Sequence, residues 1–177
     1  MLPRTPTVWA FVALVVLLSA PASAADGALE INQACVATGC FPGDDPGFPV
    51  GITTAGAYRL TSNLLVPAAT HGIDIQADGV RLDLGGFRIE GPIRCSGGCP
   101  PPGVGAGIWS AGRGTEGCSV ANGSVVGFAA DGVRLGALAS VHDLTVTDVA
   151  GIGLSLSGGS VVVGNRILRT GSSGILF

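Results

Sequence analysis

Three observations predict an all-β fold built from repeated short strands. From residue 70 onward, apolar residues show no helical period over any useful length. Short runs rich in Val, Ile and Leu are instead separated by Gly, Asn and Asp, which is typical of strands joined by turns. A short phrase also recurs along this region, and internal repetition predicts a stacked architecture.

The recurring phrase consists of a small or polar residue, a glycine, Ile or Val, a variable residue and an apolar residue. It occurs at 71–75, 106–109, 131–135, 150–154 and 173–177. Its glycines lie roughly 19 to 35 residues apart, and the longest interval contains an insertion over residues 95–105. One unit cannot bury its apolar face alone, whereas stacked units bury a continuous column. We therefore expect a solenoid of about five coils, short or truncated.

Alternation of side chains along each strand assigns an inward and an outward position to every phrase. The predicted inward column is Ile73, Ile108, Val133, Ile152 and Ile175. The predicted outward residues are Asp74, Trp109, Arg134, Gly153 and Leu176.

The region before the repeats divides into two parts. Residues 1–24 have the pattern of a secretory signal peptide, with Arg4 before the apolar run 8–18 and small residues before a cleavage site between Ala24 and Ala25. That run spans roughly 18 Å, too short for a hydrocarbon layer of about 30 Å. We expect a secreted, periplasmic or cell-surface protein with no membrane span after cleavage. Residues 25–69 are predicted to form an N-terminal cap and the first strands, and residues 70–177 the repeats.

Four of the five cysteines occur as two close pairs, which predicts two local disulfides in an exported chain. The pairs are Cys35 with Cys40 and Cys95 with Cys99, each flanking a short segment that contains glycine. A four-cysteine zinc site is the alternative, although the usual CxxC spacing is absent. Cys118 occupies the place of an apolar strand residue and is predicted to be a buried, inert thiol. We predict no metal and no cofactor.

Several segments resemble the right-handed parallel β-helix proteins of the pectin-lyase-like superfamily. The resemblance is carried by Gly43–Val50, Gly56–Leu64, Asp78–Ile89 and the glycine repeats, and extends from about residue 30 to the end. It implies a right-handed parallel β-helix. It does not imply one activity, because the fold hosts lyases, hydrolases, epimerases and non-catalytic members. Related enzymes usually cleave or isomerise acidic polysaccharides.

Two sets of residues are candidates for a site on such a polymer. His142, Asp143 and Asp148 are the acid–base candidates, since a histidine and carboxylates within one coil can share a proton-transfer site. The candidates for substrate binding are Trp109, Arg134, Arg166 and Arg169. Arginines bind carboxylates bidentately and an indole can stack on a sugar. Solvated strand arginines, an exposed histidine and a tryptophan that shields the coil edge are the alternatives.

Composition limits the partners of the chain. Its nine basic residues are all arginine and its net charge is −3, so it lacks the basic surplus that nucleic acid requires. We predict a secreted module that binds or organises surface or extracellular polymers without catalysis. The alternative is the N-terminal part of a polysaccharide lyase, hydrolase or epimerase. The chain stops at the start of a phrase, so we also expect self-association through an open C-terminal coil.

Overall fold

A computed structural model describes residues 27–110 and 114–177 of the chain. The predicted signal peptide and its cleavage site at Ala24 and Ala25 lie outside the described residues. The described part is a parallel β-solenoid of about five turns and is nearly all β, which confirms the predicted fold class. Its helical element is a single 3-10 turn at Cys35–Ala37 within those residues.

Fifteen short strands form the described part. They are β1 Leu29–Ile31, β2 Val50–Ile52, β3 Gly56–Leu60, β4 Leu64–Leu65, β5 Ile73–Ile75, β6 Val80–Asp83, β7 Arg88–Glu90, β8 Ile108–Trp109, β9 Ser119–Val126, β10 Val133–Arg134, β11 Ser140–Val149, β12 Leu154–Ser155, β13 Val161–Val163, β14 Arg166–Thr170 and β15 Ile175–Leu176.

The strands form two parallel sheets that run along the solenoid. The first sheet has the order β1-β3-β6-β9-β11-β13, with β14 paired to β11, β7 paired to β9 and β4 paired to β7. The second sheet has the order β2-β5-β8-β10-β12-β15. Consecutive coils therefore place equivalent strands side by side.

Two long strands of the first sheet bend where one residue adopts a left-handed conformation. Asn122 in β9 and Asp143 in β11 have φ angles of 60° and 55°. Asn and Asp tolerate this region better than most residues because their short polar side chains bond locally. The bend lets the first half of β11 pair with β13 and the second half pair with β14. Each such coil thus presents three outer faces.

The inward column of the second sheet is confirmed at four of its five predicted positions. Register places Val50, Ile73, Ile108, Val133, Leu154 and Ile175 in one row. The prediction of Ile152 is wrong, because Val133 pairs with Leu154. The phrase over 150–154 contains two glycine–apolar pairs offset by two residues, and a period of two cannot distinguish them. The predicted outward Gly153 is accordingly replaced by Ser155.

The repeated glycine is required by close stacking of the coils. A Cβ atom on Gly132 would lie 2.7 Å from the carbonyl oxygen of Gly153 and would also collide with Val146. Both groups belong to the packed interior, so they cannot move aside without repacking the core. The backbone amide of Val133 donates to that same Gly153 carbonyl at 3.0 Å.

Segment 32–49 caps the first coil. Val36 is buried there, and the rings of Phe41 and Tyr58 lie 5.1 Å apart. The Asp44 carboxylate accepts hydrogen bonds from the backbone amides of Cys40 and Gly51, both at 2.8 Å. These contacts tie the loop to the edge strand β2.

The cysteines have the predicted states. Disulfides join Cys35 to Cys40 and Cys95 to Cys99, and Cys118 is a buried free thiol. Burial raises the pKa of the Cys118 thiol above its ordinary value. Over residues 27–110 and 114–177, no helix is long and apolar enough to cross a membrane. The same residues contain no cluster of His, Cys, Asp and Glu arranged to hold a metal ion.

Candidate functional site

The outer face of the second sheet brings several chemically distinct side chains into one row. Register aligns Asp74 with Trp109, Trp109 with Arg134, and Arg134 with Ser155. These residues hold the variable position of successive phrases, so their proximity follows directly from stacking of the repeat. Two of the predicted binding residues, Trp109 and Arg134, are therefore neighbours.

The indole of Trp109 is contacted by the coils on both sides of it. The imidazole of His71 in the preceding coil stacks on the indole, with centroids 4.7 Å apart and planes 30° apart. The guanidinium carbon of Arg134 in the following coil lies 5.3 Å from the centre of the same ring. This cation–π distance is within the favourable range of about 6 Å. The indole therefore helps to orient Arg134.

Arg134 is also oriented by an acidic neighbour. Its Nε atom lies 2.7 Å from Oδ2 of Asp131, whose side chain is almost fully buried. The other carboxylate oxygen of Asp131 accepts a hydrogen bond from the backbone amide of Ile152 at 2.9 Å. The Arg134 side chain remains 37% exposed, so it is held in place and still accessible to a ligand. It lines a surface cavity of about 300 Å³ together with Ser155 and Ser157.

His71 contributes to this site although its sequence context gives no reason to single it out. Its Nδ1 atom accepts a hydrogen bond from the backbone amide of Ala106 at 3.1 Å. Burial lowers the pKa of His71, and the negative charge of Asp74 partly opposes that shift. The ring is therefore neutral near pH 7. His71 and Ala106 begin equivalent phrases, and this alignment is the signal that places His71 beside the coil of Trp109.

His142 and Asp143, two of the acid–base candidates, lie together on the first sheet. The Nδ1 atom of His142 is 3.1 Å from Oδ2 of Asp143, and both side chains are well exposed. His142 also lines a shallow groove of about 350 Å³ across the outer face of that sheet. The pair has the geometry of a carboxylate that orients an imidazole.

Asp148, the third acid–base candidate, is occupied by other partners. Its carboxylate accepts hydrogen bonds from Nε and Nη2 of Arg169, at 2.7 and 2.6 Å, and from the backbone amide of Cys95 at 3.1 Å. The Arg169 guanidinium is the main reason that the pKa of Asp148 falls to about 2. This pair, a buried Asp148 and an exposed Arg169, joins the disulfide loop to the last coil. Asp148 and Arg169 thus bind one another, and neither residue lines the groove beside His142.

Arg166, the remaining binding candidate, lies on β14 opposite Thr145 of β11. It is exposed and lines neither the Arg134 cavity nor the His142 groove. The residues predicted from sequence therefore fall into four groups. Arg134 contacts Trp109, His142 contacts Asp143 at the surface, Asp148 forms an ion pair with Arg169, and Arg166 is exposed to solvent.

The fold and the site define a disulfide-containing parallel β-solenoid with a polar, aromatic-flanked outer face. No protein-family model, curated protein or solved structure matches the chain. The side chains of the Arg134 cavity and of the groove beside His142 are therefore the ground for a functional proposal.

Proposed function

We propose that the chain is an exported module that binds acidic polysaccharides without transforming them. The observation that carries the proposal is Arg134, which Trp109 and Asp131 hold on the outer face of the second sheet while its side chain stays accessible. The resemblance to the pectin-lyase-like superfamily supports the same ligand class, because enzymes of that group act on acidic polysaccharides.

The chemistry of the Arg134 cavity favours a carboxylate ligand. A guanidinium presents several N–H groups in a plane and binds carboxylates with two parallel hydrogen bonds. Because Arg134 is already oriented, less side-chain entropy is lost when the ligand binds. The hydroxyls of Ser155 and Ser157 line the same cavity and suit sugar hydroxyl groups. The acidic group of a uronate would meet Arg134.

Trp109 has a positioning role in this proposal. Its ring is contacted by His71 and by Arg134, so the indole is engaged from two neighbouring coils. A sugar stacked on the ring would have to displace one of these contacts. We therefore assign Trp109 to the orientation of Arg134, in place of a sugar-stacking role.

Binding without catalysis is favoured by the residues around the cavity. Among the described residues that line it, there is one cation and no carboxylate to act as acid or base. The alternative function, a lyase, hydrolase or epimerase, is favoured by the contact between His142 and Asp143 beside the other groove. Incubation with pectate, alginate and hyaluronan, followed by product analysis, separates the two. Conversion of any of these polymers that His142→Ala abolishes would support the enzyme.

Export is part of the proposal and has its own test. The two disulfides are compatible with an oxidising compartment outside the cytoplasm. We expect the secreted protein to begin at Ala25, as determined by N-terminal sequencing. Secreted material that retains residues 8–18 would contradict the signal peptide.

Direct binding measurements test the polymer site. Calorimetry with oligogalacturonate should show at least a tenfold loss of affinity at the second-sheet site for Arg134→Ala, because a charge-assisted contact contributes about 1.5–3 kcal/mol. Trp109→Ala should weaken binding less, since it loosens the arginine without removing it. The control Arg166→Ala removes an exposed positive charge elsewhere and should bind like the parent chain. Equal losses of affinity in Arg134→Ala and Arg166→Ala would mean that binding depends on the overall positive charge and that there is no specific site at Arg134.

A further inference from the structure

We propose that the groove on the outer face of the first sheet is a second site for acidic polysaccharide, so that one chain bridges two polymer strands. This inference rests on the proposed function, since it assigns the same ligand class to another face. It adds a mode of action, the cross-linking of polymers.

Small side chains from two coils form the floor of the groove. Ala57 lies on β3, Ser119 and Ala121 lie on β9, and all three line the groove. Register pairs Ala57 with Arg81 and Arg81 with Ser119, so the floor crosses the strands. Because these side chains are short, the groove is open and has a volume of about 350 Å³, so an extended polymer can lie in it against the sheet.

Two arginines provide the positive charge of the groove. Arg59 lies on β3 and Arg81 lies on the adjacent strand β6, and both line the groove. Arg59 forms an ion pair with Glu30, with 3.7 Å between Nη2 and Oε1. Arg81 is exposed and forms no ion pair with any residue that the structure describes. Its guanidinium is therefore available to a carboxylate.

Three polar side chains line the groove beside the arginines, those of His142, Asn122 and Asp83. One oxygen of Asp83 is engaged by the backbone amide of Gly85 at 2.8 Å and by the Asn122 amide at 3.2 Å. These hydrogen bonds fix the orientation of the Asp83 carboxylate, whose other oxygen can accept a hydrogen bond from a sugar hydroxyl group. Hydroxyl groups of a sugar can then be bound by Asn122 and His142.

The two sites lie on different sheets, so one chain can bind two polymer strands at once. The Arg134 cavity belongs to the second sheet and the Arg81 groove to the first sheet, and they share no lining residue. In a solenoid, the outer faces of different sheets point in different directions. Two polymers can therefore bind one chain simultaneously, and a long polymer can connect many chains by multivalency.

Stoichiometry with short oligogalacturonates tests the second site without cross-linking. Calorimetry in calcium-free buffer should show two oligomers bound per chain. Arg81→Glu should leave one, as should Arg134→Ala, while Arg166→Glu should retain both because it makes the same charge change outside either site. Methyl-esterified oligomers should not bind, since their carboxylates are blocked. Circular dichroism should be unchanged in Arg81→Glu, whose parent side chain is exposed.

Light scattering with long pectate tests bridging. The parent chain should form large complexes with a maximum at an intermediate protein-to-polymer ratio, and Arg81→Glu should bind pectate without that maximum. The inference would be overturned if the parent chain bound only one oligomer, and if that binding were lost in Arg134→Ala and retained in Arg81→Glu. The proposed function would then still hold. If the parent chain bound only one oligomer, and that binding were lost in Arg81→Glu and retained in Arg134→Ala, both the bridging and the assignment of the polymer site to the second sheet would be overturned.

Discussion

The two ends of one inward column differ sharply in burial. Val50 and Ile175 occupy the first and last places in the row of the second sheet, and both lie on edge strands. Val50 is fully buried, whereas Ile175 is 41% exposed. Segment 32–49 packs Val36, Phe41 and Phe48 against the core at the first coil, whereas the side chains of Ile175 and Phe177 are exposed. An inward-facing side chain is thus buried by the layer stacked on it, and its own coil alone does not bury it.

Polar side-chain contacts join the last coil to its neighbour, beside Val162 and Ile167, which are partly buried against the core. Arg169 is bonded to Asp148, and the Asn165 side chain accepts from the backbone amide of Leu144 at 2.9 Å and donates to the Val141 carbonyl at 2.8 Å. Partly buried hydrogen bonds of this kind define a geometry but add modest net free energy. The comparison therefore predicts a rigid, well-packed first coil and a weaker last coil.

The largest expected effect comes from one substitution made at equivalent positions of an inner and the last coil. Gly132→Ala should lower the free energy of unfolding by about 2–3 kcal/mol, because the new Cβ would meet Val146 and the Gly153 carbonyl. Gly174→Ala should change it by less than about 0.5 kcal/mol, since only Ile167 lies within contact, at 3.8 Å. Urea unfolding measures both, and equal losses would mean that stacking distance does not limit this position.

A smaller, pH-dependent effect is expected at the ion pair of the last coil. The folded pKa of Asp148, about 2, lies below its ordinary value of 3.8, so the ionised carboxylate stabilises the fold above about pH 4. That contribution is lost as the pH falls from about 4 to 2. Asp148→Asn should lower the stability at pH 7 by about 1–2 kcal/mol, allowing for the exposed Arg169 partner.

Unfolding measured between pH 7 and pH 2 checks this prediction. The difference between the parent chain and Asp148→Asn should narrow as the pH falls, because the parent carboxylate becomes protonated. Arg166→Ala is the matched control, since it removes an arginine from β14 without touching Asp148. A pH-independent difference for Asp148→Asn would show that the side chain acts by packing alone.

The smallest expected effect concerns the exposed apolar side chains of the last coil, those of Ile175, Leu176 and Phe177. We expect them to promote weak self-association, because exposed apolar surface favours it. Phe177→Lys should shift the chain toward monomer by several-fold in sedimentation, whereas Leu65→Lys should not. These residues are 67% and 62% exposed, so the pair compares location at similar exposure. An equal shift in both variants would make association a property of general surface hydrophobicity.

Repetition made much of the site predictable. Trp109 and Arg134 occupy the same variable place in consecutive phrases, and stacking makes such residues neighbours. The disulfides were predictable because short spacing limits their partners. His142 and Asp143 are adjacent in the chain, so their contact required no knowledge of the fold.

Contacts between coils were less predictable. The pairing of Asp148 with Arg169 and the stacking of His71 on Trp109 join residues in different coils. Such contacts depend on register and on side-chain direction, which the repeat alone specifies incompletely. The error at Ile152 shows the same limit, since a shift of two residues preserves the inward and outward pattern.

The sequence by itself determined the all-β class, the repeat, the two disulfides and the places where chemistry can reside, because these depend on local periodicity and spacing. Only the tertiary structure decided which glycine aligns with which, that Asp148 is bonded to Arg169, and that a second polar groove crosses the first sheet. Those outcomes depend on hydrogen bonds and packing between stacked coils, which form only when distant residues come together. The local pattern limits the alternatives, and the stacked backbone selects among them.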